Sequence, residues 1–473
     1  MYNKNFVWFM AAVAATGGLL FGFDTGVISG AIPFMKLDFK LDDSQVENIT
    51  TLGLIGAVVG ALVSGWVSDK AGRKNVILVS AIVFLTGALW CGFATSIASL
   101  LAARFYLGLA IGIASFATPL YIAEISPAKI RGTLVSMFQL LITVGLLAAF
   151  LSDSFFADNK NVSSWRPMFY VGVVPALILL IGMFFLPESP RWLLSKGREE
   201  ESRHIMEKTE DPSVLESEMA RLKKDILEAS QQMSFGETFR QKWMVYPLML
   251  AICIMLFQQA VGINTIIYYG PSIFLKAGFE GNEAAIMASV SVGVINVIFT
   301  ILSLFVIDKL GRRKLYFLGM GGIFVSLLLI AGCFAYLPHL GDFGRYAIVG
   351  AMLLYIAFFA VSMGPLAWVL ITEVFPMKVR GVGSSIGSLS NWLFNSIVVW
   401  TFFKVIKGFT SLLGSEDMGT AGAFCSFALV AAIGLVWGIK FLPETKGMSL
   451  EDIEKHWKNG GKPADLGKQS AKI

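Results

Sequence analysis

Charged residues are scarce in this chain of 473 amino acids. Asp, Glu, Lys and Arg make up 15% of it, whereas soluble domains average about 25%. Hydrophobic residues make up 55%, and the mean hydropathy is +0.69. This balance excludes an ordinary water-soluble domain and indicates a chain that lies in lipid over most of its length.

Cysteine and histidine are also rare, which limits the chemistry open to the chain. The four cysteines fall in apolar stretches without paired or metal-type spacing, so we expect packing residues and no metal site. Residues 383–387 match the hydrolase pattern G-x-S-x-G, but that pattern needs a histidine base, and all three histidines lie outside the apolar stretches. A phosphate-binding loop is not evident in the sequence. We therefore expect neither an enzyme nor an ATP-driven pump, and no cofactor.

Long apolar stretches dominate the sequence instead. Twelve of them, at about 20 residues each, are long enough to span the hydrocarbon core as helices. They cover residues 6–30, 49–68, 75–96, 99–122, 133–155, 168–187, 245–270, 285–307, 315–337, 345–371, 383–405 and 421–442, here called spans 1 to 12. Span 1 contains an acidic residue and precedes eleven more spans, so we interpret it as retained and not as a cleaved signal. The predicted fold class is an all-α integral membrane protein.

Lys and Arg indicate the orientation of these spans. They concentrate after spans 2, 4, 8 and 10, in the connection between spans 6 and 7, and after span 12. The positive-inside rule therefore predicts that both termini and the central connection are cytoplasmic. The net charge of +5 then reflects inside loops near anionic lipid, and we expect no nucleic-acid binding.

Three motifs recur in the same order in the two halves of the chain. SDKAGRK returns as IDKLGRRK, EISPAKIR as EVFPMKVR, and PESPRW as PETKG, at offsets of 239, 249 and 256 residues. These matches predict duplicated six-helix bundles at residues 1–190 and 244–445, a cytoplasmic helical linker at 191–243 and a cytoplasmic tail at 446–473. Such repeats place a substrate site between the halves near the bilayer midplane, with access alternating as one half rocks against the other.

The repeated charges lie at predicted cytoplasmic helix ends. They are Asp69, Arg73, Glu124, Arg131 and Glu188 in the first half and Asp308, Arg312, Glu373, Arg380 and Glu444 in the second. Asp-to-Arg and Glu-to-Arg pairs among them would latch neighbouring helices across the two halves. The alternative is that they only mark topology and solvate the helix ends.

An acidic residue, Asp24, lies within span 1 among apolar and small residues. A charge at the bilayer centre costs about 2.5 to 3.5 kcal/mol on insertion scales, so it usually has a partner and a function. Arg104, in span 4, is the one arginine within a predicted span of the first half. Glycines at 18, 22, 26 and 30 form a stripe along span 1, which favours close helix packing over ligand contact.

Eight strings in order carry a family resemblance. They are FGFDTGVISG, SDKAGRK, RFYLGLAIG, PESPRWL, QQAVGIN, IDKLGRRK, GPLAW and PETKG. Together they span residues 6–450, and the chain resembles the sugar porter family of the major facilitator superfamily. The resemblance implies two pseudo-symmetric six-helix bundles, a monosaccharide substrate, and a pairing of Asp24 with Arg104.

Neutral amides and aromatic rings suit a sugar for physical reasons as well. Amides donate and accept hydrogen bonds without burying a net charge, and flat rings cover the C–H faces of a sugar. The candidate substrate-binding residues are Gln139, Gln258, Gln259, Asn264, Asn296, Trp368, Asn391 and Trp392. The alternative is that the amides join helices to one another and the tryptophans pack.

Residue spacing also predicts breaks in two spans. Gln258 and Asn264 are about 240° apart on a regular helix, so they share a face only if the helix unwinds near Gly262. Gly364 and Pro365 predict a second break, just before Trp368. Asn391 and Asn395 are four residues apart and share a face.

Asp24 bears on proton coupling. Facilitative sugar porters tend to carry Asn at this position, so the resemblance suggests that Asp24 takes up a proton and loosens its hold on Arg104. Some proton-coupled relatives carry a second carboxylate in span 6, where this chain has Gly172. The alternatives are a static ion pair, a sugar uniporter, and a transporter-like sugar sensor. We expect a monomer in the lipid bilayer, in a bacterial inner membrane, that moves a pentose or hexose with a proton.

Overall fold

The computed structural model describes residues 4–127, 130–229, 242–375, 379–446, 448 and 450–466. Within them, twelve helical segments are long and apolar enough to cross a membrane, and no strand occurs. In order, spans 1 to 12 are Lys4–Asp38, Asp43–Ala71, Arg73–Phe93, Ile97–Ile125, Arg131–Phe156, Trp165–Phe185, Val245–Lys276, Asn282–Ile307, Arg312–Ala335, Leu337–Glu373, Val382–Leu413 and Glu416–Phe441. The twelve predicted spans are confirmed, and most run past their apolar limits because polar turns continue the helix.

Three of the described spans consist of two helices each. They divide into Trp165–Val171 and Val173–Phe185, Val245–Ala260 and Ile263–Lys276, and Leu337–Val361 and Met363–Glu373. In spans 6 and 10 a proline, Pro175 or Pro365, is the third residue of the following helix. Proline is tolerated in the first turn because its missing N–H has no partner there in any case. The prolines therefore lie after the breaks and not at them.

Residue contacts divide the chain into two compact units. Unit 1 comprises Met1–Leu41 and Asn48–Gln231, and unit 2 comprises Asp42–Glu47 and Gln232–Ile473. Spans 1 to 6 thus belong to unit 1, apart from the first turn of span 2, and spans 7 to 12 belong to unit 2.

In unit 1 the glycine stripe of span 1 packs against span 5. A Cβ atom on Gly18 would lie 2.5 Å from the carbonyl oxygen of Phe138, and one on Gly26 would lie 2.5 Å from Cβ of Ala149. A Cβ on Gly22 would overlap the carbonyl of Ile142. The packing role predicted for this stripe is confirmed, because the two backbones approach too closely for any side chain between them.

Short helices flank each unit outside the spans. Pro190–Ser195, Glu199–Thr209 and Leu215–Ala229 follow span 6 and group with unit 1. Helix Leu450–Lys458 follows span 12 in unit 2, where Ile453 and Trp457 are buried with Leu466. The indole N–H of Trp457 donates to the carbonyl of Val374 at 3.0 Å, which fixes this helix to the end of span 10.

Candidate functional site: a buried ion pair and an amide network

Asp24 and Arg104 form a bidentate ion pair in unit 1. Nη1 of Arg104 donates to Oδ1 of Asp24 at 2.5 Å, and Nη2 donates to Oδ2 at 3.1 Å. Asp24 is 4% exposed and Arg104 is 2% exposed. Two parallel charge-assisted hydrogen bonds satisfy both carboxylate oxygens, so each group supplies the countercharge that the other needs in an apolar interior.

The walls around the pair come from small and aromatic residues. Gly53 of span 2 lies against the guanidinium, since a Cβ there would be 3.0 Å from Nη2 of Arg104. The ring of Phe169 in span 6 lies 6.0 Å from Cζ of Arg104, within reach of a cation–π interaction. Four spans therefore contribute to the surroundings of this ion pair. Separation of Asp24 from Arg104 would leave two unmatched charges in a buried site.

The amides of unit 2 lie at the break in span 7. Gly262 has φ +89° and ψ +18°, in the left-handed region, and separates the two helices of the span. A Cβ on Gly262 would be 2.6 Å from the ring of Phe427, so this position requires glycine for both its backbone and its space. The break predicted near Gly262 is confirmed.

The break in span 10 lies two residues before its predicted position. Ser362 has non-helical angles, φ −124° and ψ −88°, and the second helix begins at Met363. The prediction placed the break at Gly364 and Pro365, but both fit within the first turn of the new helix. Trp368 is consequently the sixth residue of that helix, and its expected position directly after the break is wrong.

Side chains of spans 7 and 10 donate hydrogen bonds to each other's backbone near the two breaks. Nε2 of Gln258 donates to the carbonyls of Met363 and Gly364, at 2.9 and 3.1 Å. In return, the buried hydroxyl of Tyr355 donates to the carbonyl of Val261 at 3.0 Å. The carbonyl of Val261 follows the end of its helix, so the donor from Tyr355 offsets the cost of burying it. The carbonyls of Met363 and Gly364 lie in the first turn of their helix, where Gln258 adds hydrogen bonds that join the two spans.

Four amide side chains form one hydrogen-bonded network in unit 2. Nδ2 of Asn391 donates to Oε1 of Gln258 at 2.5 Å, and Nε2 of Gln259 approaches the same oxygen at 3.5 Å. Nδ2 of Asn264 donates to Oε1 of Gln259 at 2.7 Å. Gln258 thus uses both its donors and both its acceptor sites within the protein, whereas the other three amides keep hydrogen-bonding capacity for a polyhydroxyl ligand.

The other four candidate substrate-binding residues lie outside this network. Gln139 is half-buried in span 5 of unit 1. Asn296, in span 8, accepts from the hydroxyl of Thr300 at 3.5 Å. Trp368 is half-buried in span 10, and Trp392 is buried in span 11. The structure therefore brings together four of the eight predicted residues, and sugar contact stays a prediction for all eight.

The repeated charges at the helix ends form a compact cluster in unit 1. Nε of Arg73 donates to Glu124 at 3.0 Å, and Glu188 accepts the backbone N–H groups of Arg73 and Lys74 at 3.0 and 3.1 Å. The hydroxyl of Ser189 donates to Glu124 at 2.5 Å. Burial raises the pKa of Glu188, and the backbone N–H groups that it accepts oppose that rise.

Unit 2 repeats the same cluster. Arg312 donates to Glu373 through Nε at 3.1 Å and through Nη2 at 2.6 Å. Glu444 accepts the backbone N–H groups of Arg312 and Arg313 at 3.0 and 3.1 Å. The hydroxyl of Thr445 donates to Glu373 at 2.5 Å. The internal repeat read from the sequence therefore extends to individual hydrogen bonds.

These pairs differ in detail from the predicted latch. Asp69 pairs with Arg73 at 3.1 Å, and Arg131 donates to the carbonyl of Ser126 and not to Glu124. Each described pair lies within one unit, and latching across the halves stays a prediction. The side chains of Asp308 and Arg380 lie outside the described part of the structure.

Sequence reasoning missed several polar residues at these sites. Tyr355 supports the break in span 7, and Ser189 and Thr445 complete the two charge clusters. The serine and threonine had a usable signal, since each directly follows a repeated Pro-Glu pair. Asp153 is a further carboxyl, fully buried beside Gly30 at the end of span 5. It lies within a predicted span, where its charge was a signal that sequence reasoning passed over.

Two six-span units, one with a buried ion pair and the other with broken helices and amides, define a carrier of the major facilitator type. The family profile described as "Sugar (and other) transporter" matches residues 10–457. This match covers nearly the whole chain, so the protein belongs to that family of transporters.

Known proteins of this family resemble the chain over its full length. The "Glucose transporter GlcP" of Staphylococcus epidermidis is 39% identical, over 96% of this chain and 97% of the relative. The "Galactose-proton symporter" of Escherichia coli K12 is 36% identical, over 98% and 97%. The solved structure of the proton:xylose symporter XylE bound to 6-bromo-6-deoxy-D-glucose aligns at a TM-score of 0.79 and 29% identity, over 96% of this chain and 100% of that one.

Proposed function

We propose that this protein is a secondary active transporter that imports a monosaccharide, a pentose or a hexose, together with a proton. The bidentate Asp24–Arg104 pair carries the proposal, since both side chains are nearly inaccessible in unit 1. The names of the relatives support it, because they include a galactose-proton symporter and a glucose transporter.

Proton uptake changes the pair in a defined way. A proton on Asp24 removes the negative charge that binds Arg104, so the electrostatic attraction falls and one of the two hydrogen bonds to the carboxyl weakens. Loss of the proton restores the negative charge, and with it the attraction to Arg104 and the second hydrogen bond. We infer that Asp24 is loaded from the outside and that its neutral form permits the loaded carrier to turn inward. One proton that moves with a neutral sugar supplies about 2.3 kcal/mol per 100 mV, or roughly a forty-fold concentration ratio.

The sugar is proposed to bind the amide network of unit 2. Gln259, Asn264 and Asn391 retain hydrogen-bonding capacity. Gln258 bonds Gln259 and Asn391, and Gln259 in turn bonds Asn264. Amides match the donor and acceptor character of hydroxyls without a charge that would need compensation. Trp392, Trp368, Asn296 and Gln139 remain proposed contacts.

Both termini are proposed to be cytoplasmic, in a bacterial inner membrane, and the monomer is proposed to be the working form.

The experiment uses purified protein in proteoliposomes with an imposed inward pH gradient. Asp24→Asn is expected to abolish accumulation of labelled sugar against its gradient and to leave equilibrium counterflow active. The matched control is Asp38→Asn, on the same helix, which removes a more exposed carboxylate 3.6 Å from Arg166. The control is expected to accumulate sugar as the wild type does. Unchanged uphill uptake by Asp24→Asn would contradict the coupling role.

Two other functions give distinct results in the same vesicles. A uniporter exchanges sugar but never accumulates it under a pH gradient. A sugar sensor binds sugar without flux. Alkalinisation of the medium on sugar addition to wild-type vesicles, with protons entering alongside sugar, distinguishes symport from both.

A further inference from the structure

Asn395 lies on the face of span 11 that packs against span 7. Asn391, Asn395 and Val399 follow at intervals of four residues and so share this face. Asn391 bonds Gln258 in the first helix of span 7, and the carbonyl of Val399 accepts the hydroxyl of Tyr269 in the second helix, at 3.2 Å. Asn395 is one turn from each of these contacts. It is therefore level with the break that separates the two helices of span 7.

The side-chain oxygen of Asn395 lacks a hydrogen-bond donor. Asn395 is 5% exposed, and its Oδ1 is the only buried side-chain amide oxygen without a partner among the residues that the structure describes. A buried acceptor without a donor is unfavourable, and a ligand that brings a donor removes this penalty.

Hydroxyl groups of the second helix of span 7, and that of the residue after Asn395, donate to backbone carbonyls. Thr265 donates to the carbonyl of Gly262 at 2.6 Å, and Ser396 donates to the carbonyl of Trp392 at 2.8 Å. Tyr269 donates to Val399, as described above. These three hydroxyl groups are therefore engaged with backbone carbonyls, and the unpaired oxygen of Asn395 lies one turn from Asn391 of an amide network that suits a polyhydroxyl compound.

We propose that Asn395 is a further sugar-contacting residue, whose Oδ1 accepts a hydrogen bond from one hydroxyl of the bound monosaccharide. The inference rests on the proposed function and adds a source of specificity to it. A site that is built to bond one hydroxyl discriminates strongly against the analogue that lacks it, because the buried acceptor then stays unpaired. Asn395 thus selects for a hydroxyl at one ring position, whereas Gln258 positions the network.

The test is counterflow of the transported sugar and of each of its monodeoxy derivatives in proteoliposomes. Wild-type protein is expected to transport one of the deoxy sugars with a kcat/KM about tenfold lower than that of the parent sugar, a difference that equals about 1.4 kcal/mol. Asn395→Leu, of similar size but without an acceptor, is expected to lower kcat/KM for the parent sugar about tenfold and to leave that deoxy sugar unchanged. The preference for the parent sugar over the derivative that lacks a hydroxyl at this ring position then disappears.

Asn395→Ala is the second variant, in case leucine disturbs folding, and Ser396→Ala is the matched control. The control removes a hydroxyl that already has a partner, so the deoxy-sugar pattern should stay that of the wild type. An equal loss for every sugar would assign Asn395 a structural role, and an unchanged pattern would mean that water satisfies Oδ1. Either result overturns the inference. Absence of sugar flux in the wild type would instead overturn the proposed function.

Discussion

Arg73 binds Glu124 at 3.0 Å in unit 1, and Arg312 binds Glu373 at 2.6 Å in unit 2. Around each pair, a second glutamate accepts two backbone N–H groups at the start of the helix that carries the arginine. The two clusters differ mainly in burial, since the side chain of Glu124 is 4% exposed and that of Glu373 is 27% exposed. Corresponding residues in similar geometry are thus more buried in unit 1 than in unit 2.

The membrane interiors of the two units differ far more. Span 1 is one helix of 35 residues with a charged pair near its middle, whereas span 7 is broken at Gly262 and carries neutral amides. The duplicated halves have kept their helix-end chemistry and diverged between those ends. One half holds a buried ion pair and the other holds a network of neutral amides, so the proposed proton site and the proposed sugar site lie in different units.

Removal of the arginine from each cluster should have the largest effect. Arg73→Gln leaves Glu124 as an uncompensated buried charge, which costs about 3 to 5 kcal/mol, whereas the more exposed Glu373 limits the cost of Arg312→Gln to roughly half of that. The apparent thermal midpoint of purified protein in detergent measures both.

The double variant Arg73→Gln with Glu124→Gln is the control. It removes both charges and should recover part of the midpoint that Arg73→Gln loses. Equal losses for the two arginine variants, or no recovery in the double variant, would mean that burial does not distinguish the clusters.

Gly262→Ala tests the contrast between the broken and the continuous span. A Cβ there meets the ring of Phe427 at 2.6 Å, and alanine is strained at φ +89°. We expect a loss of about 1 to 3 kcal/mol and weaker sugar binding, because the amides on either side of the break shift. Thermal midpoint and sugar-binding affinity measure these effects. Gly321→Ala, in open space within a helix of span 9, is the control and should be neutral or slightly stabilising.

Glu210, in unit 1, provides the smallest and most local of the expected differences in stability between the units. It ends helix Glu199–Thr209 of unit 1, and its pKa is raised to about 7 by burial first and by Glu218 second. The folded state therefore binds the proton more tightly than the unfolded state does. The contribution of Glu210 to stability is therefore highest below the unfolded pKa of 4.5 and falls as pH rises towards 7.

Glu210→Gln should flatten this pH dependence and raise stability at pH 8 by about 1 kcal/mol, after allowance for solvent screening. Thermal midpoints between pH 5 and pH 8 measure the change. Glu207→Gln, exposed on the same helix, should leave the profile unaltered. A wild-type midpoint that does not vary over this range would contradict the assignment.

Much of this architecture could be predicted because the membrane imposes strong constraints on sequence. Apolar length indicated every span, and repeated charges indicated the two halves. Asp24 and Arg104 were predicted as partners because a buried carboxylate needs a countercharge, and two hydrogen bonds confirm the pair. Gly262 was identifiable because only an unwound helix brings Gln258 and Asn264 together.

The remaining details depend on three-dimensional contacts that residue spacing does not contain. Glu-to-Arg pairs were expected among the repeated charges, but residue spacing does not indicate that Glu124 pairs with Arg73 of another helix. The position of the break in span 10 depends on Ser362 and on cross-helix donors such as Gln258. Hydrophobic pattern and motif spacing describe single helices, whereas these features arise where two helices meet.

The glycine stripe of span 1 restricts how Asp24 and Arg104 can separate. Gly18, Gly22 and Gly26 bring the backbone of span 1 into contact with span 5, so displacement of one helix alone would open a void along several turns. Asp24 is therefore attached to a two-helix rigid body. In the proposed coupling, separation of the two charges would therefore require less work through the side-chain torsions of Arg104 than through sliding of span 1.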